Sequence, residues 1–156
     1  MVINSHSVSD TLRLGRGLAH NLKRGDIICL FGNLGSGKTV LTKGIAEGLG
    51  IEKDKVISPS FVLIREHYKG KIPLYHFDLY RLKNPRDLLV LGYEEYFYNE
   101  GVAVIEWADR LEYLMPKEFL KVELSFKDDS QRRLKFIPVG ARYQRLLERV
   151  HENTSH

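Results

Sequence analysis

The stretch Gly32-Asn33-Leu34-Gly35-Ser36-Gly37-Lys38-Thr39 constrains this chain more than any other. It satisfies G-x-x-x-x-G-K-[ST] at every fixed position. Before it, Ile27-Ile28-Cys29-Leu30-Phe31 is an unbroken apolar run that reads as a buried strand. After it, Lys38 to Leu49 carries Leu41, Ile45, Ala46 and Leu49 at helical spacing, with Gly50 as a stop signal. Strand, glycine loop and helix are the order a phosphate cradle needs. Glycines let successive backbone N–H groups turn inward around phosphate oxygens, because no Cβ blocks the turn. The helix N-terminus adds partial positive charge. Lys38 is placed to reach β- and γ-phosphates, and the Thr39 hydroxyl to ligate Mg²⁺. A chance glycine-rich turn meets the pattern roughly once in a few hundred chains of this size, and the flanking strand and helix make chance rarer still.

A length of 156 residues predicts one domain spanning 1–156. The chain has no run of about 18 apolar residues, so no transmembrane helix is expected. Met1 to Asp10 is polar and lacks the apolar core of a secretion signal. The single cysteine, Cys29, falls in the buried strand and reads as a small core residue. These features predict a cytoplasmic protein. The net charge of +4 comes from interspersed acids and bases. It favours contact with RNA or an acidic partner, but no zinc spacing or RNA-binding aromatic motif supports direct reading of nucleic acid.

Along the chain, Val2 to Asn4 reads as an edge strand. Ser7 or Ser9 caps a helix to about Lys23, with Leu12, Leu18, Ala19 and Leu22 on its apolar face. Phe61 to Ile64 and Ile72 to Phe77 read as an antiparallel hairpin turning at Lys69-Gly70-Lys71. Asn84-Pro85 opens a helix over Arg86 to Leu91, and Tyr93 to Asn99 is a second short piece. Val102 to Ile105, Phe119 to Phe126 and Arg132 to Pro138 read as strands. Tyr143, Leu146, Leu147 and Val150 place an amphipathic helix at the end, packed on the sheet. The alternation predicts an α/β fold, with helices on both faces of a sheet whose margins are antiparallel.

Ligands of open α/β sheets sit at the carboxyl ends of the strands, so acids there matter most. Leu74 to Phe77 leads into Asp78, and Val102 to Ile105 leads into Glu106. Either can hold Mg²⁺ opposite Thr39, and either can orient an attacking water. The Glu106 strand is uniformly apolar, as a central parallel strand should be. Glu106 is therefore favoured as the metal acid, and Asp78 as the water-orienting acid or a second metal contact. Ser58-Pro59-Ser60 follows the loop helix, where nucleotide switches bring a hydroxyl to the metal or γ-phosphate. Trp107, the only tryptophan, directly follows Glu106. His76 reads as a satisfied core or rim histidine. Arg65, Arg81, Arg86 and Arg110 could each approach a γ-phosphate, and nothing in their spacing selects one.

On these residues the chain resembles the bacterial TsaE (YjeE/YdiB) family, the ATPase component of tRNA threonylcarbamoyladenosine biosynthesis. The likeness is carried by Gly32 to Thr39, Ser58-Pro59-Ser60-Phe61, His76-Phe77-Asp78-Leu79-Tyr80-Arg81-Leu82 and Glu106-Trp107. Order and spacing match from about Leu14 to Pro116. The His-Phe-Asp-Leu-Tyr-Arg run is the most distinctive part.

The resemblance implies a single P-loop ATPase domain with a P-loop NTPase-like three-layer sandwich. Four central parallel strands would be flanked by antiparallel ones. It implies ATP held by residues 33–40, that is Asn33, Leu34, Gly35, Ser36, Gly37, Lys38, Thr39 and Val40. It adds Mg²⁺ held by Thr39 and Glu106, catalytic weight on Lys38, Asp78 and Glu106, a switch-like loop at Ser58 to Phe61 with Ser60 at the nucleotide, and Trp107 beside the nucleotide. The adenine would lie between Ser7 to Ser9 and the hairpin near Asp129. Partners would be the TsaD and TsaB proteins. Asn33 stands where many members have Asp, Ser60 where many have Thr, and Val40 where Thr is frequent; the last removes a possible α-phosphate contact. The alternatives on the same motif are a small-molecule kinase and a non-catalytic module gated by nucleotide. A GTPase is disfavoured because Asn-Lys-x-Asp is absent.

Overall fold

The computed structural model describes residues 1–57 and 63–154. Its strands are β1 (Val2–Ser5), β2 (Ile27–Phe31), β3 (Ile64–His67), β4 (Leu74–Asp78), β5 (Val102–Glu106), β6 (Phe119–Phe126) and β7 (Arg132–Val139). The helices are α1 (Val8–Ala19), α2 (Lys38–Gly48), α3 (Arg86–Val90), α4 (Glu94–Phe97) and α5 (Ala141–Thr154). The strands form one seven-stranded sheet in the order β1-β7-β6-β2-β5-β4-β3. β6, β2, β5 and β4 run parallel, while β3 and the β7–β1 pair are antiparallel margins.

Strand pleating sorts the core into two clusters. Ile28, Leu30, Val102, Val104, Leu120 and Val122 face α1, α2 and α5. Ile27, Cys29, Phe77, Ala103 and Ile105 face α3, α4 and the short helical turns at Ala108–Leu114. This is the expected three-layer sandwich. Strands buried on both faces read as continuous apolar runs, which is why β2 and β5 fall where the sequence placed them. Burial also pushes the Cys29 thiol well above its ordinary range. The final helix is anchored from below. Arg142 Nε and Nη2 bond Asp26 Oδ1 and Oδ2 at 3.0 and 2.7 Å, and the Ile27 N–H donates to Tyr143 Oη at 2.8 Å.

The largest boundary differences are at α1 and β3; β4 also begins at Leu74 rather than Ile72 and takes in Asp78. α1 ends at Ala19, because Asn21 and Leu22 bond back three residues to Leu18 and Ala19 and tighten the last turn. β3 starts at Ile64 and runs to His67, pairing Ile64 with Phe77 and His67 with Leu74. It is an edge strand with exposed Arg65 and Glu66, so the apolar-run criterion misplaces it. Ser58 to Val62 lie outside the described residues, and with them the expected role of Ser60 and the Phe61–Val62 half of the expected strand.

The helix that carries the glycine loop is held unusually close by α1. A Cβ on Gly44 would stand 2.4 Å from Leu12 O, and one on Gly15 2.7 Å from both Ile45 N and Leu41 O. Backbone, not a flexible side chain, blocks both. Gly44→Ala should therefore lower the free energy of unfolding by about 2 kcal/mol through forced separation of the two helices. Urea denaturation reads this directly, and an unchanged midpoint would show that the helices part at no cost.

Candidate functional site

The sheet places three chemically active side chains on the α2 face. Val102 and Val104 of β5 point into the α2-side core, so pleating sends Glu106 the same way. Leu74 of β4 does the same for His76 and Asp78. Asp78 and Glu106 are direct register partners at the carboxyl ends of neighbouring parallel strands. α2 begins at the end of β2, on this face, and its second residue meets the acid: Thr39 Oγ1 donates to Glu106 Oε1 at 2.8 Å. Glu106 is only 2% exposed. Its other oxygen, Oε2, is bonded to Nε2 of His76, which is wholly buried.

The loop itself is built on two left-handed glycines, Gly35 at φ +79° and Gly37 at φ +103°, which other residues rarely tolerate. Ser36 N–H closes a turn onto Asn33 O at 3.1 Å. Gly37 caps α2, whose first turn contains no acid to cancel the helix dipole. Lys38 is 4% exposed. Its ammonium donates to Gly32 O at 2.5 Å, Asn33 O at 2.9 Å and Ser36 Oγ at 3.4 Å. It also lies 4.1 Å from the centroid of the Trp107 ring. Burial pulls the Lys38 ammonium below its ordinary pKa, and the carboxylates of Glu106, Asp78 and Asp109 pull the other way.

Trp107 occupies left-handed backbone, φ 57° and ψ 45°. For a bulky residue this costs on the order of 1–3 kcal/mol, and such strain persists where surrounding contacts over-determine it. Here the ring is fixed between Lys38 and Tyr80, whose ring centroid is 5.0 Å away. Arg110 stands 5.9 Å from the same ring and donates to Tyr80 O at 2.9 Å.

The oxygens at Thr39 and Glu106 suit a hard divalent cation. Among the described residues no three His, Cys, Asp or Glu side chains cluster as metal ligands. Mg²⁺ is usually held in that sparse way, by one or two protein oxygens completed by phosphates and water. A hydroxyl and a carboxylate beside an amide-lined loop fit that group.

The structure thus draws together Lys38, Thr39, Asp78, Glu106 and Trp107, with Asn33, Gly35, Ser36 and Gly37 in the loop. Leu34 is exposed at the loop tip and Val40 half-buried in the first turn of α2. Asp129 sits exposed in the β6–β7 turn, where Arg132 Nη1 donates to its backbone oxygen at 3.3 Å. What that hairpin brings to the loop is Phe126, whose ring would lie 3.4 Å from a Cβ on Gly35. Ser7 Oγ accepts from Asp10 N at 3.0 Å as the cap of α1. Sequence reasoning missed the contact of His76 with Glu106; among the described residues His76 is paired on only one nitrogen, and Nδ1 has no hydrogen-bond partner. Its two-residue offset from Asp78 on a strand was the available signal, since it puts both on one face. Asp109 and Tyr80 were also missed.

The family model for threonylcarbamoyl adenosine biosynthesis protein TsaE matches residues 5–134. The tRNA threonylcarbamoyladenosine biosynthesis protein TsaE of Bacillus subtilis strain 168 is 44% identical over 135 residues, covering 85% of this chain and 84% of its own. The protein of the same description from Nostoc sp. PCC 7120 is 39% identical over 141 residues, covering 88% and 85%. The crystal structure of YdiB from Bacillus subtilis superposes with a TM-score of 0.85 at 36% identity, over 99% of this chain and 95% of that one.

Proposed function

Since the chain belongs to the TsaE family of tRNA threonylcarbamoyladenosine biosynthesis, we propose that residues 1–156 act as one Mg²⁺-dependent ATPase domain in that modification. In this reading the protein binds and hydrolyses ATP within an assembly with TsaD and TsaB. The observation that carries the proposal is the meeting of Thr39 and Glu106, at 2.8 Å, beside a buried Lys38 in a glycine loop.

Each residue then has a physical task. The loop amides and the N-terminus of α2 hold the phosphate oxygens. Lys38 exchanges the Gly32 and Asn33 carbonyls for the β- and γ-phosphates, a trade of neutral acceptors for charged ones. Thr39 Oγ1 and the Glu106 carboxylate would hold Mg²⁺, which would supply positive charge against the phosphate oxygens. Asp78, beside Glu106 in register, orients the attacking water. The ring of Trp107 closes the side of the site where Lys38 lies.

In this reading phosphate draws the Lys38 ammonium off the Gly32 and Asn33 carbonyls beside the Trp107 ring, so the emission of this single tryptophan should change on ATP binding. A fluorescence titration reads it, and a flat trace at saturating ATP would remove Trp107 from the nucleotide's surroundings. The function itself is tested by ATP turnover with and without TsaD, TsaB and tRNA. Stimulation that requires all three supports the proposal. Phosphoryl transfer to a small molecule with no need of protein partners would point to a kinase instead.

A further inference from the structure

We propose that His76 is a positioning residue for the metal-binding acid; this rests on the reading of Glu106 as that acid. His76 lies on β4 two register pairs before Asp78, opposite Val104 of β5, and it is fully buried. Its Nε2 meets Glu106 Oε2, while Thr39 Oγ1 donates to Oε1. The acid is therefore gripped from two elements, the strand beside it and the helix above it. A carboxylate accepts, so the imidazole proton is on Nε2. Among the described residues Nδ1 has no hydrogen-bond partner.

The consequence is a division of labour between the two carboxylate oxygens. His76 occupies Oε2 and fixes the torsion of the side chain. Oε1 is left facing Thr39, on the side of the glycine loop. Without the imidazole, a carboxylate only 2% exposed keeps one oxygen with no donor, and the group turns to find one. Residues that hold a metal ligand by hydrogen bonding commonly change metal affinity or activity by about 10- to 100-fold when removed. An ordinary core histidine would instead alter stability alone.

Two substitutions separate these cases. His76→Gln places an amide N–H near the position of Nε2, whereas His76→Asn places it near Nδ1, too short to reach Glu106. ATP affinity is measured by calorimetry in Mg²⁺ and in EDTA, and turnover as a function of Mg²⁺ concentration, with Glu106→Gln alongside. His76→Asn should raise the Mg²⁺ needed for half-maximal turnover by about tenfold and lower kcat by a similar factor. ATP affinity in EDTA should stay within about twofold, and His76→Gln should restore both Mg²⁺ readouts to within about threefold. If Glu106→Gln shifts the Mg²⁺ requirement and His76→Asn does not, the inference falls and the metal acid stands. Equal defects in the Gln and Asn variants would likewise reject it. If Glu106→Gln leaves the requirement unchanged, both fall. Should His76→Asn fail to fold, long-range ¹H–¹⁵N spectra of the unmodified protein decide: a proton on Nε2 supports the inference, and one on Nδ1 overturns it.

Discussion

Lys38→Ala should weaken ATP binding by about 100-fold or more and leave the ligand-free protein at least as stable as before. Both halves follow from where the ammonium sits. In a phosphate complex it is the one full positive charge in the loop itself. Removing one partner of a buried, hydrogen-bonded charge pair costs about 2–5 kcal/mol. Without nucleotide the balance is different. Lys38 is 4% exposed, bonded to neutral carbonyls and a hydroxyl, and burial penalises its charge. Deleting it relieves that penalty, at the loss of the contact with Trp107. Calorimetry and thermal melts with and without ATP measure the two halves separately. Unchanged ATP affinity would rule out the loop as the triphosphate site. A collapse in ligand-free stability would mean that the ammonium holds the loop together.

The parts of the molecule legible in sequence were those where one local rule decides the outcome. β2 and β5 are buried on both faces, so they were visible as apolar runs. The loop needs left-handed backbone at Gly35 and Gly37, and only glycine supplies it cheaply, so its motif is written in residue types. Pro85 at the start of α3 and the spacing of Tyr143, Leu146, Leu147 and Val150 in α5 are equally local signals. Non-local facts were not legible. That Asp78 and Glu106 are neighbours depends on β5 lying against β4, a pairing between strands separated by α3 and α4. That His76 grips Glu106 depends on the same pairing and on pleat direction. The left-handed turn at Trp107 has no propensity signal, because tryptophan is there against its preference and is fixed by Lys38 and Tyr80. The helical turns at Ala108–Leu114 are too short to show a period, and a break at Glu112, φ 49°, interrupts them.

Glu106→Gln is expected to separate binding from chemistry. Turnover in saturating Mg²⁺ should fall by about 100-fold or more, a loss of roughly 3 kcal/mol in transition-state stabilisation. ATP affinity should change by less than about fivefold, since loop amides and Lys38 carry most of it. The substitution is close to isosteric, and its hydrogen bonds survive by reassignment. The amide oxygen still accepts from His76 Nε2, and the amide N–H₂ can donate to Thr39 Oγ1, which then acts as acceptor. What is lost is the negative charge that attracts the cation, together with the pull it exerts on Lys38. Steady-state kinetics over a range of Mg²⁺ concentrations, set beside calorimetric ATP affinity, distinguish the outcomes. Parallel losses in binding and turnover would mean that Glu106 chiefly shapes the loop through Thr39. Turnover close to that of the unmodified protein would transfer the metal to Asp78, the other carboxylate at these strand ends.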